Sequence, residues 1–293
     1  MNLTLLQDGS EQIFYPNPAL PIYVNRGNLR DLSGMAALCH WHEDVELLLP
    51  YNGYLQYNIN GTIVSVPENG GIFVNTRNLH YGFSGDGSDC EYICVTFRPQ
   101  LLCANKELES KYILPLLTDP RFTHAVLDPA EKSHAAILDA IRSLDDLYRE
   151  KPRGFEIIAM GTLFQLWQAL FLSAGQAVGD TGHTDVHIPI LRRMLEFIRT
   201  HYADRITLDQ IAAAGGVCRS SCCQLFKKHL DRTPNDYLNS FRLEMGMELL
   251  KNNALTVTEV ANQCGFNNSS YFTELFTKRK GCTPTEYRKK AAG

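Results

Sequence analysis

The last third of the chain contains one segment twice. Residues 206–237 read ITLDQIAAAGGVCRSSCCQLFKKHLDRTPNDY and residues 255–287 read LTVTEVANQCGFNNSSYFTELFTKRKGCTPTEY. Thr207, Ala212, Gly216 and Ser220 meet Thr256, Ala261, Gly265 and Ser269 at an offset of 49. Leu225, Phe226, Thr233, Pro234 and Tyr237 meet Leu275, Phe276, Thr283, Pro284 and Tyr287 at an offset of 50, so the second copy carries one extra residue in its turn. A repeat of this kind constrains the fold because each copy must be one small supersecondary unit.

Local chemistry says which unit. Thr207 with Gln210, and Thr256 with Glu259, have capping-box spacing and mark helix starts. Leu208, Ile211 and Ala212, like Val257, Val260 and Ala261, then share a helical face, and Gly216 and Gly265 end those helices where a left-handed backbone is cheap only for glycine. A second helix is predicted from about Ser220 to His229 and from about Ser269 to Lys280, with Cys222, Leu225 and Phe226, or Phe272, Leu275 and Phe276, facing inward. Thr233-Pro234 and Thr283-Pro284 pair an N-cap with a first-turn proline and start a third helix in each copy, the first running to about Leu250. Each copy is therefore a helix-turn-helix, about 207–229 and about 256–280.

A helical bundle with an internal duplication would carry the same caps and turns, and charge separates the two readings. Residues 186–293 hold 16 Lys and Arg against 10 Asp and Glu, whereas residues 1–185 hold 12 against 22; the whole-chain value of −4 hides this asymmetry. A basic module joined to an acidic one is the electrostatic footprint of a nucleic-acid binder. Lys227, Lys228, Lys278, Arg279 and Lys280 lie late in the two second helices, where they could reach phosphates, and Arg219 could contact a phosphate or a guanine edge.

Residues 188–290 resemble the DNA-binding domain of the AraC/XylS family of bacterial transcriptional regulators, through the doubled caps, the stretch from Gly265 to Phe276 and TPTEYR from Thr283 to Arg288. The resemblance implies seven helices, two of which enter successive major-groove segments. It places Ser220, Cys223 and Gln224 of the first unit, and Ser270, Thr273 and Glu274 of the second, against base edges. Gln pairs with adenine and Glu accepts from cytosine, so Gln224 and Glu274 should discriminate most. Cys222-Cys223 and Glu274 depart from the usual residues, which predicts a weaker first reader and less phosphate attraction in the second.

Residues from about 10 to 128 read as β structure, short apolar segments broken by Gly, Asn and Pro at the spacing of a sandwich or small barrel. Within them, Gly34, His40, His42, Glu46 and Gly53 match the first cupin motif without a gap: glycine, five residues, His-x-His, three residues, Glu, six residues, glycine. The second motif is poorer: Pro67 and His80 stand in place, but Asn69-Gly70 and Thr76 depart from it. On a strand His40, His42 and Glu46 would point one way and Trp41, Val45 and Leu47 the other. The resemblance implies a double-stranded β-helix in which His40, His42, Glu46 and His80 either hold a divalent metal or line an effector cavity with Tyr57, Tyr81 and Phe83. Such donors suit zinc, iron, manganese, nickel or copper. DNA reading itself requires no cofactor, and the resemblance implies a small-molecule effector, a sugar being the first guess.

Between the modules, residues 129–176 form a helical region, with helices expected at about 130–150 and 153–175. The first places Ala135, Leu138, Ile141, Leu144 and Tyr148 on one face. The second is apolar nearly all round, with Phe155, Ile158, Phe164, Trp167, Leu170 and Phe171, and needs cover from the barrel or from a second subunit; homodimerisation is the preferred reading. AVGDTGHTD, about 177–185, reads as a hinge.

The remaining signals set the class. A chain of 293 residues accommodates about two domains. Its first residues lack a signal-peptide pattern, its apolar runs are interrupted by polar residues, and its nine cysteines form no CxxC pair, so a cytoplasmic protein with reduced thiols and no membrane partner is expected. The sequence thus predicts an α+β multidomain protein: a cupin-like sensor at 10–128, the helical region, and a DNA-binding domain at 186–293. Its expected role is effector-controlled transcription at a double-stranded operator, with RNA polymerase a further partner; catalysis is not expected. The competing readings are a metal-dependent cupin enzyme and a constitutive dimeric DNA binder.

Overall fold

The computed structural model describes residues 10–11, 13–177, 187–251 and 254–291; most of the expected hinge lies outside them. The chain divides into two compact units. The first holds the described parts of 10–31 and 39–185, and the second holds 32–38 with the described residues from 187 onward.

In the first unit eight strands form two antiparallel sheets. The larger runs in the order β1 (Ile22–Asn28), β7 (Glu91–Phe97), β2 (Val45–Asn52), β5 (Gly71–Val74), β8 (His124–Leu127). The smaller is β4 (Thr62–Val66), β3 (Leu55–Ile59), β6 (His80–Phe83). The expected barrel is thus realised as two sheets rather than one closed ladder. Asn60 and Gly61, both at positive φ, make the two-residue turn between β3 and β4.

Register in β2 decides what faces what. Val45, Leu47 and Leu49 pair with Phe97, Val95 and Ile93, and all six lie in the main apolar core. Glu46 and Leu48 pair with Thr96 and Cys94 on the opposite face. A one-residue slip would bury Glu46 in hydrocarbon, so the pattern specifies the pairing strongly.

Two one-turn helices, α1 (Lys106–Leu108) and α2 (Leu114–Thr118), flank a π-helical turn, and α3 (Lys132–Glu150) and α4 (Phe155–Ala177) follow β8. Ile137, Leu138, Ile141 and Leu144 of α3 meet the sheet core together with Leu163, Leu166, Trp167 and Leu170 of α4. Ala135, expected on the buried stripe, is exposed because the first turn of α3 stands clear of the core. Helix α4 is long and apolar enough to cross a membrane, yet one side of it belongs to this core. Its other side leaves Ile157, Ile158, Phe164 and Leu172 exposed.

The second unit contains α5 (Ile188–His201), α6 (Leu208–Gly215), α7 (Arg219–Leu230), α8 (Pro234–Leu250), α9 (Val257–Gln263), α10 (Ser269–Lys280) and α11 (Pro284–Ala291). Both capping boxes form as the sequence predicts, and Thr233 caps α8 through the Asp236 amide. The extra residue of the second copy lies between α9 and α10, where five residues separate the helices against three between α6 and α7.

Candidate functional site

The acidic unit gathers His40, His42 and Glu46 with His80, which is distant from them in sequence. His40 and His80 form an isolated antiparallel bridge through paired backbone hydrogen bonds of 2.9 and 3.1 Å. His42 follows two residues on, and Glu46 comes from the polar face of β2. All four are buried, and one ligand atom from each lies within 4.8 Å of the others. The sequence motif therefore converges in space, although residues 42–44 are not strand and the alternation expected across His40 to Glu46 holds only from β2 onward.

Hydrogen bonding orients two of the rings. The Nδ1 atoms of His42 and His80 lie 2.8 Å from the backbone carbonyls of Asp44 and Asn78, so each Nδ1–H donates outward. Their Nε2 atoms then face Glu46 at 3.7 and 3.8 Å, too far for a hydrogen bond, and both are buried without one. A carbonyl on one ring nitrogen and an unsatisfied lone pair on the other is the arrangement of a metal-ligating histidine. Four donors about 2.1 Å from one ion stand about 3.4 Å apart in a tetrahedral site, so movements of under about 1 Å each would close the site. The residues fit a divalent cation on donor type, orientation and spacing.

Electrostatics agree. Burial alone would raise the Glu46 pKa, but His80 and His42 hold it well below the carboxylate range. Burial opposes protonation of His42, yet Glu46 and Glu11 outweigh it and leave its pKa raised. The Tyr57 hydroxyl donates to Glu46, and its ring stacks beside His80 with centroids 6.1 Å apart. Tyr57 thus lies beside Glu46 and His80. Tyr81 is not: neighbouring residues of β6 point to opposite faces, and Tyr81 packs against Phe83 at 5.5 Å, away from His80.

Sequence reasoning missed Glu11. Its backbone amide donates to the Trp41 carbonyl at 2.8 Å, and its buried Oε2 lies 3.3 Å from His40 Nε2. Burial pushes its carboxyl up to about 7. It belongs to no motif and to no long strand, so only its charge could have drawn notice.

In the basic unit, α7 and α10 display the expected base-facing residues. Ser220, Cys223, Gln224, Ser270 and Glu274 are exposed and Thr273 is half-buried, while Cys222, Phe226, Phe272 and Phe276 form the inner face. Ser269, Ser270, Thr273 and Glu274 line a groove of about 430 Å³ with Val257 and Thr258.

The cations differ in availability. Lys228 and Lys278 are exposed. Arg219 pairs with Asp209, and Lys227 with Asp231, so both must exchange a carboxylate for a phosphate. Arg279 is half-buried and donates to Ser240 of α8 at 2.6 Å, so part of its guanidinium braces α10. Arg242 of α8 donates to the carbonyls of Tyr202 and Asp204 at 2.7 and 2.8 Å and lies 5.8 Å from the Phe266 ring, tying the second turn to the loop after α5. Cys218 was also missed. It is the exposed N-cap residue of α7, and hydrogen bonds from Ser220 and Ser221 lower its thiol to about 6.

Known proteins carry the same two parts. Residues 37–166 match the AraC-like ligand binding domain, and residues 211–290 match a helix-turn-helix domain. An uncharacterized HTH-type transcriptional regulator of Bacillus subtilis, YdeC, is 31% identical over 98% of both chains. The xylose operon regulatory protein of Escherichia coli is 30% identical over 37% of this chain and 28% of its own. The crystal structure of ToxT from Vibrio cholerae aligns over 93% of this chain and 99% of that one, at 12% identity and a TM-score of 0.49. With a relative matched from end to end and both domain types in place, the chain belongs to the AraC family of helix-turn-helix transcriptional regulators, with a ligand-binding N-terminal domain and a DNA-binding C-terminal one.

Proposed function

We propose that the chain is a homodimeric regulator whose operator affinity depends on a divalent cation held by His40, His42, Glu46 and His80. The observation that carries this reading is the pair of buried, outward-anchored imidazoles, His42 and His80, whose unsatisfied Nε2 atoms converge on Glu46. A bound ion would supply positive charge to that carboxylate and vacant positions for an oxygen-bearing effector. Tyr57 orients Glu46 by donating to it, and the carbonyls of Asp44 and Asn78 hold two rings in the ligating tautomer. Helices α7 and α10 read two neighbouring major-groove segments through Ser220, Cys223, Gln224, Ser270, Thr273 and Glu274, with Lys228 and Lys278 on phosphates. The exposed apolar face of α4 supports self-association.

The test is selection of operator DNA from a random pool, followed by titration of that DNA with metal-free and zinc-loaded protein. A change in operator affinity that His42→Ala abolishes is the expected result. Undetectable zinc binding at micromolar concentration would remove the metal from the reading and leave a metal-free effector site.

A further inference from the structure

Glu11 reaches the histidine cluster from outside every motif. Ser10 bridges Trp41, the residue between His40 and His42, and the Glu11 amide donates to the Trp41 carbonyl. This places a carboxylate with 5% side-chain exposure beside an imidazole that is equally buried. The Glu11 Oε2 atom has no hydrogen-bond partner there. Its ion-pair neighbour His40, 3.3 Å away, is charged only if protonated, and a buried carboxylate is costly unless a charge compensates it. The neighbouring carboxylate Asp44 is already engaged, since Arg98 lies 3.5 Å from it. With both ionised, Glu11 and Glu46 bring two negative charges to three neutral histidines, which is the charge that one divalent cation balances.

Building on the metal reading above, we propose that Glu11 is a fifth protein group at the site, a carboxylate that the N-terminal segment brings to the bound cation beside His40. Metal loading and docking of residues 10–11 on Trp41 are then one event. Cation in the site favours the docked segment, and the docked segment tightens binding of the cation by the same factor, because each is the other's partner in the same equilibrium. The Glu11 amide, bonded to Trp41, is a built-in reporter of that docking.

The experiment uses the full chain with Zn²⁺ and with Co²⁺ as a spectroscopic probe. Hydrogen exchange of the peptide containing Glu11 is expected to slow at least tenfold on zinc addition. Glu11→Gln should lose that protection, weaken zinc about 10- to 100-fold and alter the visible Co²⁺ spectrum, the scale at which groups supporting a metal site act. Equal affinity, equal spectra and equal protection in wild type and Glu11→Gln would overturn the role of Glu11 while leaving a four-ligand site. Absence of metal binding in the wild type, with the Glu11 amide exchanging alike with and without zinc, would overturn the site itself. The wild-type exchange measurement decides the docking even if the variant folds poorly.

Discussion

At the scale of single residues, Gly265 shows how strictly the second turn is built. Its φ of +78° is left-handed, and a Cβ there would stand 2.5 Å from the Tyr202 carbonyl oxygen and 2.8 Å from that of Ala203. Both obstacles are backbone, so neither can rotate away. Gly265→Ala should cost about 3 kcal/mol in denaturant unfolding, combining left-handed strain with the clash. Gly216 has a similar φ of +70° but open space around its Cβ direction, so Gly216→Ala should cost only the conformational part, about 1 kcal/mol. Equal losses at the two sites would contradict this packing. Cys218 gives a second residue-scale prediction. A thiol near 6 is mostly thiolate at neutral pH, so alkylation should rise with a midpoint near pH 6 and level off above about pH 7, instead of climbing toward pH 9. Mass mapping should find Cys218 modified ahead of exposed Cys223, and operator binding should fall with its modification because it stands at the start of α7, with its sulfur 3.1 Å from the Ser220 hydroxyl.

At the scale of elements, the two recognition helices were legible because their information is local. Caps, turn glycines and inward apolar positions all act within one helix and its neighbour, and α8 begins where Thr233 places it. What was not legible depends on contacts distant in sequence. Arg279 looks like any other lysine or arginine at the end of α10 until α8 brings Ser240 to it, and Tyr81 looks like a lining residue until the β3–β6 register turns it away. Glu11 is the extreme case, since its position depends on one bridge to Trp41. Replacing Gln224 and Glu274 with Ala should relax base preference more than it weakens non-specific binding; uniform loss on all sequences would remove their reading role. Lys228→Ala should weaken all sequences alike and lower the salt slope by about one. On α4, Leu172 is 61% exposed, on a side that also shows Ile157, Ile158 and Phe164 together with Gln165 and Gln168. Leu172→Glu should shift sedimentation toward monomer with little change in thermal stability, as its side chain lies outside the core.

At the scale of the whole molecule, a sensor must make occupancy of one domain matter to the other, and thermodynamics sets the form this takes. If zinc at His40, His42, Glu46 and His80 changes operator affinity by some factor, operator must change zinc affinity by the same factor, whichever path carries the coupling. Typical couplings of 1–3 kcal/mol correspond to factors of about 5 to 150. Both sides are measurable on the same protein: the operator dissociation constant with zinc-free and zinc-saturated chain, and the zinc dissociation constant with and without operator. The two ratios are expected to agree and to differ from one. His80→Ala should bring both ratios to one while non-specific DNA affinity, a matter of the basic unit's charge, stays unchanged. A zinc affinity indifferent to operator would make the metal a structural support of the acidic unit. Chelation would then lower its unfolding temperature and leave gene control to a ligand bound elsewhere in that unit.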